Sequence, residues 1–192
     1  KSEKEGSYPF AGYSEVKYRI IDIISSVHKA RVLEMGVGTG EITKPLYELG
    51  YEITGVDLSN KMIEIAKTHM EKAAFILADF DNALHQLSNK FDFIVFSYSI
   101  HHLSYNDQIE LLIKLNEYLS EEGVIIIGDI STFTFEDMNQ LQNKYADIWD
   151  DEEYYPILKK YQSSQLANLY NLSYVQINEV AGIYQLRKGD IK

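Results

Sequence analysis

The fold is decided by residues 32 to 40, which read Val-Leu-Glu-Met-Gly-Val-Gly-Thr-Gly. A short apolar run that ends in three closely spaced glycines predicts a strand, a sharp turn and the start of a helix. Glycine lets the backbone turn tightly and lets a ligand approach where a Cβ would intrude. Any tight strand-to-helix turn also favours glycine, so the loop alone does not identify a ligand. Its spacing says more. Dinucleotide-binding loops space their glycines as G-x-G-x-x-G, to seat a pyrophosphate at a helix N-terminus. Here the third glycine, Gly40, comes one residue early, after Gly36 and Gly38, and the loop is preceded by Glu34. A carboxylate there would repel a pyrophosphate and suits an ammonium group.

Outward from this loop, β-branched apolar runs alternate with helical periodicity, the pattern of βαβ units. Tyr13 to His28 carries Val16, Ile20, Ile23, Ile24 and Val27 at helical spacing. Arg31 to Met35 is the first expected strand, followed by a helix from Glu41 to Leu49. A second strand, Glu52 to Asp57, leads to a helix capped by Ser59. Ala74 to Asp79 is the third strand. The fourth, Phe91 to Ser97, is a nearly continuous hydrophobic run, as expected of a strand covered on both faces. A helix over Asn106 to Leu119 turns Ile109, Leu112, Ile113 and Leu115 inward, and Gly123 to Ile130 is the fifth strand. Phe135 to Trp149 reads as a helix, Asp150 to Tyr155 as an acidic, aromatic loop, and Ser163 to Tyr170 as a short helix. Ser173 to Asn178 and Ile183 to Arg187 form an antiparallel hairpin. The expectation is a single α/β domain over residues 1–192. Its seven-stranded, mostly parallel sheet would carry helices on both faces and the hairpin at one edge.

The composition narrows the partners. The 192 residues are 45% hydrophobic and 24% charged, which is ordinary for a globular chain. The formal net charge of -11 opposes a polyanion, and Lys and Arg form no long run, so nucleic acid is not the expected partner. No window approaches the roughly eighteen apolar residues of a membrane span, and no signal-peptide core is visible. Cysteine is absent, which removes disulfides, thiolate metal sites and a cysteine nucleophile, and fits a cytoplasmic location. The chain opens on Lys1 rather than Met, so residues upstream are expected in the natural protein.

Ligands of open α/β sheets bind outside the carboxyl ends of the strands, where strand order reverses. Polar residues collect there. Asp57 closes the second strand about 20 residues beyond the loop, where an acid that accepts from ribose hydroxyls is expected, although an acid at a strand end is common in itself. Asp79-Phe80 offers a carboxylate for an exocyclic amine and a ring for a purine. After the fourth strand, residues 97 to 103 read Ser-Tyr-Ser-Ile-His-His-Leu.

Taken in order, Glu34 with Gly36, Gly38 and Gly40, Asp57, Asp79-Phe80, and Phe91-Asp92 leading to Ser97 and His101-His102-Leu103 resemble the motifs of class I S-adenosylmethionine (AdoMet)-dependent methyltransferases. The match runs from about Val32 to Ile130. More closely, the chain resembles a group of small, functionally undefined bacterial members with a Ser-Tyr-x-x-His-His-Leu run and a later Glu-Tyr-Tyr-Pro, here Glu153 to Pro156. The resemblance implies a Rossmann-like fold. It implies that Glu34 and the Gly36 to Gly40 loop hold the methionine end of AdoMet and that Asp57 holds the ribose. Leu58 and Met62 would flank the adenine, Asp79 would receive its amino group, Phe80 would lie beside it, and Ser97 would sit near the methionine through its backbone. Many relatives have an aromatic N-terminal segment over the cofactor. Here only Tyr8 to Tyr13 precedes the first helix within residues 1–28, so part of a lid is expected to be missing.

Methyl transfer from a sulfonium has a neutral leaving group, so the protein contributes mainly by placing the acceptor and excluding water. His101 and His102 are the candidates for a base, His102 above all, because it immediately precedes Leu103. Adjacent histidines are not expected to face one site, and at least one is expected to be a packing residue. No metal site is expected, for want of supporting ligands. Tyr98, Tyr154 and Tyr155 could line an acceptor pocket, with residues 132–170 setting specificity for a small-molecule acceptor. A noncatalytic AdoMet or nucleoside-binding module remains an alternative, a nicotinamide-dependent oxidoreductase is disfavoured by the glycine spacing, and monomer and dimer stay open.

Overall fold

The computed structural model describes residue 8 and residues 12–189. Seven strands form one sheet in the order β3-β2-β1-β4-β5-β7-β6. These are β1 (Arg31–Met35), β2 (Glu52–Asp57), β3 (Ala74–Leu77), β4 (Phe91–Ser97), β5 (Leu119–Ile130), β6 (Tyr170–Gln176) and β7 (Ala181–Lys188). The first five pair in parallel, while β7 runs antiparallel to both β5 and β6. Strand order therefore reverses between β1 and β4, and their carboxyl ends open a crevice at the switch point.

Alternation along the inner strands feeds two cores. Val32, Phe93, Val95, Val124 and Ile126 face one side, and Leu33, Ile94, Phe96, Ile125 and Ile127 the other. The first side is covered by α1 (Tyr13–Ser25), α2 (Thr43–Glu48), α3 (Asn60–His69) and α6 (Phe135–Lys144). The second is covered by α4 (Phe80–Leu84), α5 (Tyr105–Leu115), α7 (Leu158–Gln162) and α8 (Leu166–Leu169). In α1, Val16, Ile20 and Ile24 recur every four residues and are fully buried. Gly128 of β5 lets that helix close: a Cβ there would stand 2.5 Å from Val16 Cγ1. Asp92, at the far end of β4 from the crevice, ties three strands by accepting from Arg31 N and Ser120 Oγ.

Several expected boundaries move. Val27 lies beyond the end of α1 and is exposed. The helix expected from Glu41 starts at Thr43. The third strand stops at Leu77, because the Asp79 carboxylate caps an unforeseen helix, α4, accepting from Asn82 N at 2.8 Å. The helix expected through Leu119 ends at Leu115, and Leu119 already belongs to β5. Leu111 is buried with Leu112 and Leu115, while Ile109 and Ile113 are half-buried. The helix expected through Trp149 ends at Lys144, and that expected over Ser163 to Tyr170 shortens to α8, with a separate helix, α7, wholly upstream of it. Among the described residues, no helix is long and apolar enough to cross a membrane.

Candidate functional site

The loop after β1 is pinned by its neighbour. Gly36 and Val37 both donate their N–H to Val56 O of β2, at 2.9 and 2.8 Å. The Asp57 carboxylate then accepts from Gly38 N and from Ser59 N, each at 2.8 Å. It thus holds the glycine loop and the entry to α3 together. Ser59 caps that helix by accepting from Met62 N. Leu58 is 74% exposed and Met62 is partly exposed, so both offer apolar surface next to Asp57.

Gly36 has φ +87°, in the left-handed region that side chains avoid, and a Cβ there would stand 2.5 Å from Ser99 Cβ. Ser99 is buried and donates to Met35 O at 2.6 Å, locking the end of β4 onto the end of β1. Gly36→Ala is therefore expected to destabilise the protein by about 1 to 3 kcal/mol, measured by urea unfolding. At Gly38 a Cβ would meet nothing, so this part of the loop faces open space.

Glu34 is buried at the head of the loop, and nothing hydrogen-bonds to its Oε2. Burial pushes its carboxyl up to about 8, and neighbouring Thr43 offsets only part of that. A buried acceptor without a donor is costly unless it serves a ligand. On the other flank, Phe80 packs edge-on to Phe96 at 5.6 Å, and its ring tip comes within 3.8 Å of the Cβ position of Gly36. Asp79 spends both oxygens on Asn82, and these bonds hold its carboxyl below the usual range. Ser97, at the end of β4, is half-buried opposite Gly128. The structure thus gathers Gly36, Gly38, Asp57 and Phe80 around one loop. Asp79 stands one residue away, as a helix cap.

Past β4 the chain is strained. Tyr98 has φ +50°, and its buried hydroxyl has no hydrogen-bond partner. Residues Ile100–His102 then form a single 3-10 turn. His101 is buried, and its Nδ1 lies 2.8 Å from Asp129 Oδ1 of β5. Burial disfavours the imidazolium, but the charge and hydrogen bond of Asp129 outweigh it, so His101 sits above its ordinary value. His102 is largely exposed; partial desolvation and the neighbouring His101 hold it below its ordinary value.

The two rings do not point apart, as adjacent histidines are expected to. They pack edge-on at 4.3 Å and reach one oxygen, Glu153 Oε1: His101 Nε2 lies 3.4 Å away and His102 Nδ1 3.8 Å. The tight turn brings both imidazoles to the same side, and the acidic loop comes over to meet them. That loop is anchored by Tyr154 N donating to His101 O, and by buried Gln108, whose Nε2 donates to Leu103 O and Tyr154 O. Glu153 Oε2 accepts from the Tyr155 hydroxyl, which also bonds Tyr8. Of the three tyrosines expected at an acceptor pocket, Tyr154 is partly exposed, Tyr98 half-buried and Tyr155 fully buried, so Tyr155 supports Glu153 rather than lining an open surface.

Asp129, Glu153, Ser99 and Gln108 carried no assignment from the sequence. One signal was available for Asp129: an acid inside the buried run Ile-Ile-Ile-Gly-Asp-Ile requires a partner. Of the expected lid over Tyr8 to Tyr13, residues 9–11 lie outside the described residues. Tyr8 itself is buried, stacked on Trp149 at 4.9 Å.

Comparison with known proteins matches this geometry to a family. A profile for a methyltransferase domain covers residues 32–123. The protein of Oceanobacillus iheyensis described as the uncharacterized methyltransferase OB1106 is 31% identical over 188 residues, which span 93% of this chain and 88% of that one. Among solved structures, the N-methyltransferase NodS of Bradyrhizobium japonicum, in complex with S-adenosylhomocysteine, superimposes with TM-score 0.69 at 16% identity, covering 98% of this chain and 92% of that one. The 1,6-didemethyltoxoflavin-N1-methyltransferase of Burkholderia thailandensis, with bound 1,6-didemethyltoxoflavin and S-adenosylhomocysteine, gives 0.66 at 15% identity, covering 94% and 79%. The structural likenesses establish the shared fold. The near full-length relative establishes descent, and the chain belongs to the class I methyltransferase family.

Proposed function

We propose that this methyltransferase binds AdoMet in the crevice between β1 and β4 and passes its methyl group to a small-molecule acceptor in the cytoplasm. The observation that carries the reading is the buried, unpartnered Glu34 Oε2 at the head of an open glycine loop. An ammonium is the group this acceptor lacks, and AdoMet carries one on the α-carbon of its methionine end. When bound, AdoMet supplies an electrophilic methyl with a neutral leaving group.

In this reading Glu34 takes the ammonium, and the loop from Gly36 to Gly40 lies against the methionine chain. Asp57 has its two oxygens engaged by backbone N–H groups on one side, and it presents the remaining lone pairs to the ribose hydroxyls. Leu58, Met62 and Phe80 enclose the adenine, Asp79 receives its amino group on the lone pairs that its bonds to Asn82 leave free, and the backbone of Ser97 borders the methionine. His102, exposed at the mouth, takes the proton of the acceptor. His101, held by Asp129, is a positioning residue for the turn. Residues 132–170, which include Tyr154 bonded through its N–H to His101 O, select the acceptor. The net charge of -11 favours a small molecule over nucleic acid, and the toxoflavin-type substrate of the Burkholderia neighbour shows that the fold can serve one.

Calorimetry with AdoMet tests the binding half. One site per chain is expected, and Asp57→Ala should weaken it on the order of 100-fold, since each hydrogen bond to a charged group contributes about 1.5 to 3 kcal/mol. Unchanged affinity in a folded variant would remove the ribose assignment. Release of S-adenosylhomocysteine across a panel of amines, thiols, alcohols and carboxylic acids tests the transfer half. Binding without release for any of them favours a noncatalytic module.

A further inference from the structure

We propose that His101, His102 and Glu153 form a binding site for a divalent transition-metal ion of the zinc class, at the mouth of the methyl-transfer crevice. One ligand atom from each residue lies within 4.8 Å of the others. The two nitrogens stand 3.4 and 3.8 Å from the shared oxygen, Glu153 Oε1. In a tetrahedral site with zinc-to-ligand distances of about 2.0 to 2.2 Å, neighbouring ligands are about 3.3 to 3.6 Å apart. The two contacts to Glu153 are within a few tenths of an ångström of that spacing, and the two imidazole nitrogens lie within 4.8 Å of each other.

The surroundings are those of a supported metal site. Asp129 accepts from His101 Nδ1, at 2.8 Å to one oxygen and 2.9 Å to the other, and this leaves Nε2 as the free lone pair facing Glu153. A carboxylate behind a ligating histidine fixes its tautomer and raises its basicity. Asp129 is itself fully buried and takes a second bond from Ile130 N. Glu153 is oriented by the Tyr155 hydroxyl, in turn held by Tyr8. A proton on His101 Nε2 would serve Glu153 alone, whereas an ion serves all three ligands. Two imidazoles and a carboxylate suit zinc, cobalt, nickel or iron(II) rather than magnesium or calcium, which prefer all-oxygen shells.

Three protein ligands leave a fourth position open, the arrangement of catalytic rather than structural zinc. That position takes the donor atom of the methyl acceptor. Bound to the ion, an acceptor O–H or S–H loses its proton to solvent more readily. The freed electron pair forms the bond to the methyl carbon as the carbon–sulfur bond of the sulfonium breaks, and the sulfur leaves as a neutral thioether. His102 then acts through the ion. This step rests on the proposed transfer reaction; the ion site does not.

The test is metal binding by the full chain after chelator treatment, using zinc(II) calorimetry and cobalt(II) absorption, with AdoMet affinity measured on the same samples. One equivalent is expected, with the intense visible bands of four-coordinate cobalt. Glu153→Gln and His102→Ala, both at solvent-accessible positions, should each weaken zinc by more than the roughly 10- to 100-fold that loss of a supporting residue costs. Tyr155→Phe should fall within that range. Both ligand variants should keep their circular dichroism and AdoMet affinity. Absence of zinc binding at micromolar concentration, or equal affinity in Glu153→Gln and His102→Ala, overturns the site. Loss of AdoMet binding alone would instead count against the cofactor reading.

Discussion

His102→Ala is expected to lower kcat by about 100- to 10,000-fold while leaving AdoMet affinity nearly intact, the range spanned by loss of a group that acts on the acceptor's proton. The residue stands on the 3-10 turn that leaves β4, with most of its side chain in solvent and its Nδ1 turned toward Glu153. It contributes almost nothing to the cores, so its removal should not disturb the fold. His101→Ala should behave oppositely. That imidazole is buried, and deleting it strands the fully buried Asp129 without its partner, a type of loss that costs about 3 to 5 kcal/mol. Steady-state kinetics beside urea unfolding separates the two. Full turnover in a folded His102→Ala protein with its acceptor would leave catalysis to positioning alone.

Glu34→Gln should move stability and binding in opposite directions. The folded state holds this carboxyl up to about 8, whereas in the unfolded chain it titrates near 4.5. Between those values the folded state binds the proton more tightly, so stability falls as pH rises through the window. Near pH 4 the carboxyl is protonated in both states and the penalty is absent; by pH 8 most of it is present. Every tenfold change in proton affinity between the two states corresponds to about 1.4 kcal/mol, so a penalty of a few kcal/mol is expected in the ligand-free protein. Glutamine keeps the shape without the charge. The variant should therefore be more stable by about 2 to 4 kcal/mol at pH 8 and nearly unchanged near pH 4. Its AdoMet affinity should drop on the order of 100-fold, with the loss of the charge that meets the ammonium. Urea titrations at the two pH values check the first half and calorimetry the second. A stability difference that ignores pH would show that Glu34 is not buried as a strained acid.

What the sequence made legible was local. The bounds of β1, β2 and β4 were readable to the residue, because each apolar run is closed by a glycine or a polar residue. The glycine loop was readable because positive φ at Gly36 and Gly40 is a property of the chain itself. Boundaries failed where two signals overlap. Tyr118 and Leu119 continue the helical spacing of α5, yet Leu119 pairs with Phe91 and opens β5. Asp79 completes an apolar run and also caps a helix, and capping prevailed. The cluster of His101, His102, Glu153 and Asp129 was illegible for a different reason. Its members are joined only when β5 lies beside β4 and the acidic loop crosses the turn, and neither sequence spacing nor periodicity encodes that meeting.

The position of β7 shapes how this protein can be made. It follows both of its neighbours in the chain, yet it lies between β5 and β6, antiparallel to each. Until residues 181–188 leave the ribosome, β5 presents an open edge rich in isoleucine, and β6 has nothing to pair with. The parallel half can assemble during synthesis, but closure of the sheet waits for this last hairpin to emerge. In that interval the nascent chain carries an unpaired strand edge, the feature that exposes an incomplete sheet to aggregation.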